Sequence, residues 1–385
     1  MDPKQLKIRA CNGKTLDNMK RVVAMARIRP METSFAREVH FMRGVVENRT
    51  QFTFRYLAGK KKLDHGHYVK APCSIAPFSK MDFAAHGNSA ASPDAGGEFT
   101  LAASLDGTNN VFNVTLTFKG ADNPKASIWE TGITDSLKGI VARKSKNTYE
   151  ADKSTDSLTK CHFRFEMIAC PGKLSTFVID QVPFAPATTP ASRLDLILDA
   201  PEILEGEKKS VADLHIPLEP SLGNEMFRVQ CVVQNRSQFT FGLDKVEFTT
   251  SGVIEKKDRS KISKTTGQFI RGAAPVAAYS VMEFVAEFGP SNFIQLSNHS
   301  DPQKTFTIQL GFGILESGMP VAGVGRVTAG RENTPRVDPD PYHSEKGNEV
   351  TSSEFTSTTG QLKSQLKVTA VPGLMMMFII EQIIV

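Results

Sequence analysis

The sequence predicts an all-β protein of two tandem antiparallel β-sandwich domains related by internal duplication, and three observations carry that prediction. Residues 45–54 (VVENRTQFTF) return as residues 232–241 (VVQNRSQFTF), 187 positions later. The match runs back without a gap to Pro30 and Pro217, with 12 identities in 25 columns, which marks an internal repeat. Residues 112–118 (FNVTLTF) alternate strictly between apolar and polar, and residues 306–312 (FTIQLGF) repeat that alternation. The remainder reads as short alternating segments punctuated by Gly, Pro, Asn and Asp, with no long helical period.

The chain has 385 residues, enough for two ordinary domains. We read residues 1–185 as the first sandwich, 186–193 as a linker within a Pro/Thr/Ala-rich stretch, and 194–385 as the second. Hydrophobic content of 40% and charged content of 23% describe a globular chain and exclude a disordered one. Phenylalanine is abundant at 25 against five tyrosines and one tryptophan, so most rings are expected to fill cores.

Residues 1–30 carry eight Lys/Arg against Asp2 and Asp17, a local excess above the +5 of the whole chain. Taken alone, Leu16, Met19, Val23 and Ala26 suggest a basic amphipathic helix, an arm for membrane or nucleic acid. The repeat aligns residues 23–28 with 211–216, where Gly206 and Asp213 interrupt such a helix, and favours strands at the start of both domains. Further along, Phe112, Val114, Leu116 and Phe118 should face a core, as should Phe306, Ile308, Leu310 and Phe312. Cys161, Phe163, Phe165 and Met167 share one strand face, and Leu362, Leu366 and Val368 keep the same pattern. Pro171-Gly172 and Pro372-Gly373 read as hairpin turns. Residues 326–350, with Pro335, Pro339 and Pro341, read as a long mobile excursion. The closing MMMFIIEQIIV aligns with residues 177–182 and reads as a core strand buried on both faces.

No apolar run is long enough for a transmembrane helix, and the first residues lack the apolar stretch of a signal peptide. Five cysteines without CxxC spacing favour reduced thiols. A cytoplasmic location is therefore expected, with secretion by a non-standard route left open. The Asn-x-Ser/Thr sequences at Asn48, Asn113, Asn235 and Asn298 read as incidental.

Few residues form a pattern that carries chemistry. Asp64-His65-Gly66-His67 has metal-ligand character, but histidines flanking a turn glycine explain it more simply, and no metal is expected. Cys161 and His162 point to opposite faces of one strand and cannot act on each other. No nucleophile elbow, phosphate loop, zinc-protease or calcium-loop pattern occurs. The expectation is no enzyme, no catalytic residue and no cofactor. Basic runs at Lys60, Lys61 and Lys62 and at Lys256 and Lys257 fall in corresponding loops, as a solvated surface or a contact for anionic partners.

One resemblance adds to this reading. Asn48-Arg49-Thr50, then Leu63-Asp64-His65-Gly66, then Pro72-Cys73-Ser74-Ile75-Ala76-Pro77, then Gly96-Gly97-Glu98-Phe99 resembles the order of motifs in actinoporin-like and aegerolysin-like β-sandwiches. It covers residues 45–182; the second copy keeps Asn235-Arg236-Ser237 but not the Leu-x-His-Gly element. The resemblance implies a compact sandwich of a kind that binds membrane lipids, assembles into pores, or acts as a lectin. Such proteins hold headgroups with Trp and Tyr, which here singles out Trp129, Tyr56, Tyr68 and Tyr149. Trp129 is expected either in the core beside Ile128 or exposed at a loop. The leading expectation is thus a non-enzymatic, cytolysin-like protein that binds lipid membranes or glycans. The alternative is a structural, self-assembling double-sandwich subunit of a shell, crystal or capsid, whose basic segment 4–29 touches partners or nucleic acid.

Overall fold

A computed structural model describes residues 13–26, 41–57, 62–87, 95–105, 111–120, 124–131, 141–144, 149–151, 161–184, 201–219, 222, 228–248, 250–254, 262–287, 292–298, 305–315, 317–329, 335–339, 345–356 and 363–385. The fold is mostly strand and divides into two compact units, Met1–Pro190 and Ala191–Val385.

In the first unit, one sheet is built on β1 (Phe41–Arg49), which pairs antiparallel with β5 (Ser79–His86) and parallel with β12 (Leu174–Phe184). On one side β5 is followed by β4 (His67–Lys70); on the other, β12 is followed by β11 (Cys161–Cys170), which carries β9 (Val141–Lys144) and β10 (Tyr149–Ala151). The second sheet runs β2 (Arg55–Tyr56), β6 (Gly96–Ser104), β7 (Val111–Lys119), β8 (Lys125–Glu130), with β3 (Lys62–His65) also on β6. Between them lies a core that includes Val46, Phe54, Phe83, Phe99, Phe112, Val114, Leu116, Phe118, Phe165 and Phe177, all nearly inaccessible. The face expected from alternation is therefore the core face.

The second unit repeats the pairings. Strand β13 (Arg228–Arg236) lies antiparallel to β18 (Ser280–Glu287) and parallel to β26 (Met375–Ile384), with β17 (Gln268–Arg271) on β18 and β25 (Lys363–Val371) on β26. Its other sheet runs β14 (Phe241–Phe248), β19 (Asn292–Asn298), β20 (Phe306–Ile314), β21 (Pro320–Ala329), β22 (Pro335–Asp338). Phe306, Ile308, Leu310 and Phe312 are buried, as alternation requires. β15 (Thr250–Ile254) and β16 (Ile262–Thr266) form a separate hairpin; β23 (Glu349–Thr351) and β24 (Phe355–Thr356) pair with β25.

Four expectations need correction. The first concerns the N-terminal segments, which are helices and not strands: α1 is Gly13–Met25 and α2 is Pro201–Ala212. Leu16, Lys20 and Val23 are buried at spacing i, i+4, i+7, and Leu204, Lys208 and Val211 repeat that spacing. Gly206 lies on the exposed side of α2 and costs the helix only about 1 kcal/mol, which the packed face offsets. α1 packs on β1 and α2 on β13, and every residue of β1 is buried as a result.

Second, neither first sheet is purely antiparallel. β1 and β12 come from distant parts of the unit's chain, so a long crossover permits the parallel pairing. Third, the excursion at 326–350 contains structure, since β22 pairs with the end of β21 and β23 with β25. Fourth, β26 alternates between buried and half-buried residues, so only one of its faces is sealed. The longer neighbours on its helix-bearing face, such as Glu381, reach solvent beside α2.

Candidate functional site: an aromatic rim in the first unit

The Asn-Arg-Thr/Ser stretch is a corner, not a contact surface. The Asn48 side-chain amide donates to the carbonyls of Phe52 (2.7 Å) and Ala76 (2.8 Å), while its Oδ1 accepts from Thr50 N (3.1 Å) and Thr50 Oγ1 (2.7 Å). Asn235 makes the same set with Phe239 (2.6 Å), Ala277 (2.9 Å), Ser237 N (3.1 Å) and Ser237 Oγ (2.6 Å). Gln181 Oε1 accepts from Gln51 N at 3.1 Å, as Gln382 does from Gln238 N at 3.2 Å. Both asparagines are fully buried, so the glycosylation sequences at Asn48 and Asn235 are closed to modification in the folded protein.

Around this corner lie buried ion pairs. Glu47 contacts Arg49 at 2.6 Å and Lys80 at 2.7 Å. Burial pushes the Glu47 carboxyl up, but Lys80 and Arg49 together outweigh it and hold it below the usual range. Asp82 is likewise pushed up by burial and pulled further down by Lys70 and by Arg43, at 2.9 Å. In the second unit Glu283 takes Arg271 at 2.8 Å and Gln230 at 2.9 Å. Glu47 and Asp82, held as anions, suit a structural ion pair.

The two units differ along the side of the sandwich between β2/β3 and β4. Tyr56, Leu63 and Tyr68 sit there half-buried against the first unit's core. Tyr56 meets Phe99 edge-on at 6.2 Å and Tyr68 meets Phe118 at 6.2 Å, with Phe83 5.0 Å from each of those phenylalanines. Burial raises both phenols above their ordinary value, so they remain neutral hydroxyls across the physiological range. Tyr68 pairs with Ala85 just before a bulge, as Phe269 pairs with Ala286 before the corresponding bulge. At the positions of Tyr56 and Tyr68 the second unit has Leu243 and Phe269, both buried and both pure hydrocarbon.

Trp129 and Tyr149 lie on strands other than those that carry this rim. Trp129 is neither in the core nor on a loop. It lies on β8 opposite Thr115, half-buried, and its neighbour Ile128 takes the core-facing position. Tyr149 is on β10 opposite Phe163, and Lys62 is on β3 opposite Glu98. Lys60, Lys61, Lys256, Lys257 and residues 4–12 and 27–29 lie outside the described residues. Sequence reasoning missed the contribution of Leu63 and the pairing of His67 with His86, whose rings are 5.7 Å apart. The signal lay in the second copy, where the aligned residues change character. Among the described residues no group of three or more His, Cys, Asp or Glu is placed to hold a metal ion, and no helix is long and apolar enough to cross a membrane.

No protein-family model matches the chain, and no curated protein matches it. Among solved structures, the crystal structure of the lipid binding protein Nakanori is similar over 46% of this chain and 85% of its own, with 8% identity and a TM-score of 0.26.

Proposed function

We propose that this chain is a non-enzymatic recognition protein whose first unit binds a membrane lipid or glycan at the Tyr56–Tyr68 rim. The observation that carries the reading is the exchange of the buried Leu243 and Phe269 for two half-buried tyrosines on the same framework, Tyr68 with its hydroxyl turned away from solvent. A hydrocarbon seal is sufficient for that side of the sandwich, so the phenols add something folding does not require. A ring with an apolar body and a polar tip suits the boundary between lipid tails and headgroups, or the face of a sugar. The ordered motifs that resemble actinoporin-like and aegerolysin-like sandwiches support the same reading.

The test uses the double variant Tyr56→Leu/Tyr68→Phe, which copies the second unit's residues and should fold. Sedimentation with phosphatidylcholine vesicles, with and without phosphatidylserine, and binding to a glycan array are measured on the full chain. Binding by the wild type and a loss of roughly tenfold or more in the variant are expected. Equal binding by both proteins, or no binding by the wild type, overturns the proposal.

A second reading, a self-assembling subunit, draws on the turn between β25 and β26. Val371 and Leu374 are 44% and 67% exposed there. Assembly in the absence of lipid, abolished by Leu374→Ser, would favour it.

A further inference from the structure

His67 and His86 are register partners across the β4–β5 pair, with ring centroids 5.7 Å apart. We infer that they form a two-imidazole site for a divalent transition ion of the Zn²⁺, Ni²⁺ or Cu²⁺ class. Two imidazoles bound at about 2.1 Å to one tetrahedral ion have centroids about 5–6 Å apart, so the observed spacing needs little adjustment. His86 Nδ1 lies 2.6 Å from the Gly87 carbonyl oxygen. With Nδ1–H donating there, Nε2 carries the lone pair a metal requires, and the ring is oriented by its backbone contact. His67 is exposed on the outermost strand of this unit's sheet, which gives an ion access from solvent.

The backbone supports the same placement. Gly66 turns the chain between β3 and β4 at a φ of 91°, and a Cβ there would run into the His86 carbonyl. Glycine is therefore what lets His67 lie directly across from His86. The second unit has the same register pair as Gln268 and Glu287, with Glu287 engaged by Arg228 at 3.5 Å. The strand geometry is thus common to both units, while the imidazole pair belongs to the first. Two protein nitrogens leave coordination positions for water or an oxygen ligand, so exchangeable binding is expected, tightest for Cu²⁺.

The experiment titrates the full chain, stripped of metal, with ZnCl₂ by calorimetry and with Cu²⁺ by electron paramagnetic resonance. The wild type is expected to bind one ion with two imidazole nitrogens in the Cu²⁺ spectrum. His67→Gln should weaken Zn²⁺ binding by roughly tenfold or more and leave one such nitrogen. This exposed substitution should leave the melting temperature of the metal-free protein unchanged. His86→Gln should weaken binding likewise, while Cys73→Ser and His162→Gln should not. No ion bound by the wild type, or undiminished binding in His67→Gln, overturns the inference.

Discussion

Asn48 is fully buried and satisfied by four hydrogen bonds, so its replacement tests the corner directly. Asn48→Ala strands two carbonyls and the Thr50 donors away from water, and should cost about 3 kcal/mol or more in denaturant unfolding. Glu47 gives a pH-dependent counterpart. Its folded pKa is depressed, so its contribution is complete above the ordinary carboxylate value and is lost as pH falls through the folded value. The stability gap between wild type and Glu47→Gln should therefore be widest near neutral pH and close in acid. A gap that widens on acidification would mean that the carboxyl is neutral in the fold. Residue identity at these positions was legible from the repeat; that Asn48 is a corner and not a contact was not, because its partners Phe52 and Ala76 are set by the turn and by a bridge from Phe54 to Ile75.

At the scale of the element, α1 is held by a lysine reaching down to the strand beneath. Lys20 meets Asp180 at 2.5 Å with side chains only 5% and 10% exposed. The corresponding Lys208 pairs with the exposed Glu205 of its own helix at 2.8 Å and is 4.0 Å from Glu381, whose side chain is 38% exposed. Removing one partner of a buried pair leaves a buried charge and costs about 3–5 kcal/mol, whereas an exposed pair contributes about 1 kcal/mol or less. Lys20→Met should thus destabilise far more than Lys208→Met, read from thermal or urea unfolding of the two variants. Equal losses would place the stabilisation in the helix's apolar contacts instead. The helical spacing of Leu16, Met19, Val23 and Ala26 was present in the sequence, and the aligned Gly206 and Asp213 argued wrongly against it: Gly206 sits on the exposed side of α2 and Asp213 lies beyond its last residue. That Lys20 belongs to the buried face was not legible, since lysine normally marks a solvent face.

For the whole molecule, the core strands should be equivalent in energy. Phe118→Ala and Phe312→Ala each remove a ring less than 3% exposed and should each cost about 3–5 kcal/mol. A loss below about 1 kcal/mol at either site would show that its face is not core. With a net charge of +5, association with phosphatidylserine vesicles should weaken as salt is raised, because exposed charges are screened within about 10 Å at 0.1 M. Salt-independent sedimentation would point to the tyrosine rim acting without help from charge.

By itself the sequence determined the all-β class and the inward faces of β7 and β20. Those follow from period-two alternation, a local property that a one-residue slip would destroy. Tertiary structure alone decided what meets across strands distant in the chain. Tyr56 and Tyr68 come from different sheets and converge only because β2 and β4 border the same side of the sandwich. His67 and His86 become neighbours only through the register of β4 on β5, set by the Gly66 turn and the following bulge. Sequence spacing carries no trace of such pairings, because strand register is chosen by the burial of the whole face and not by the residues that happen to meet on it.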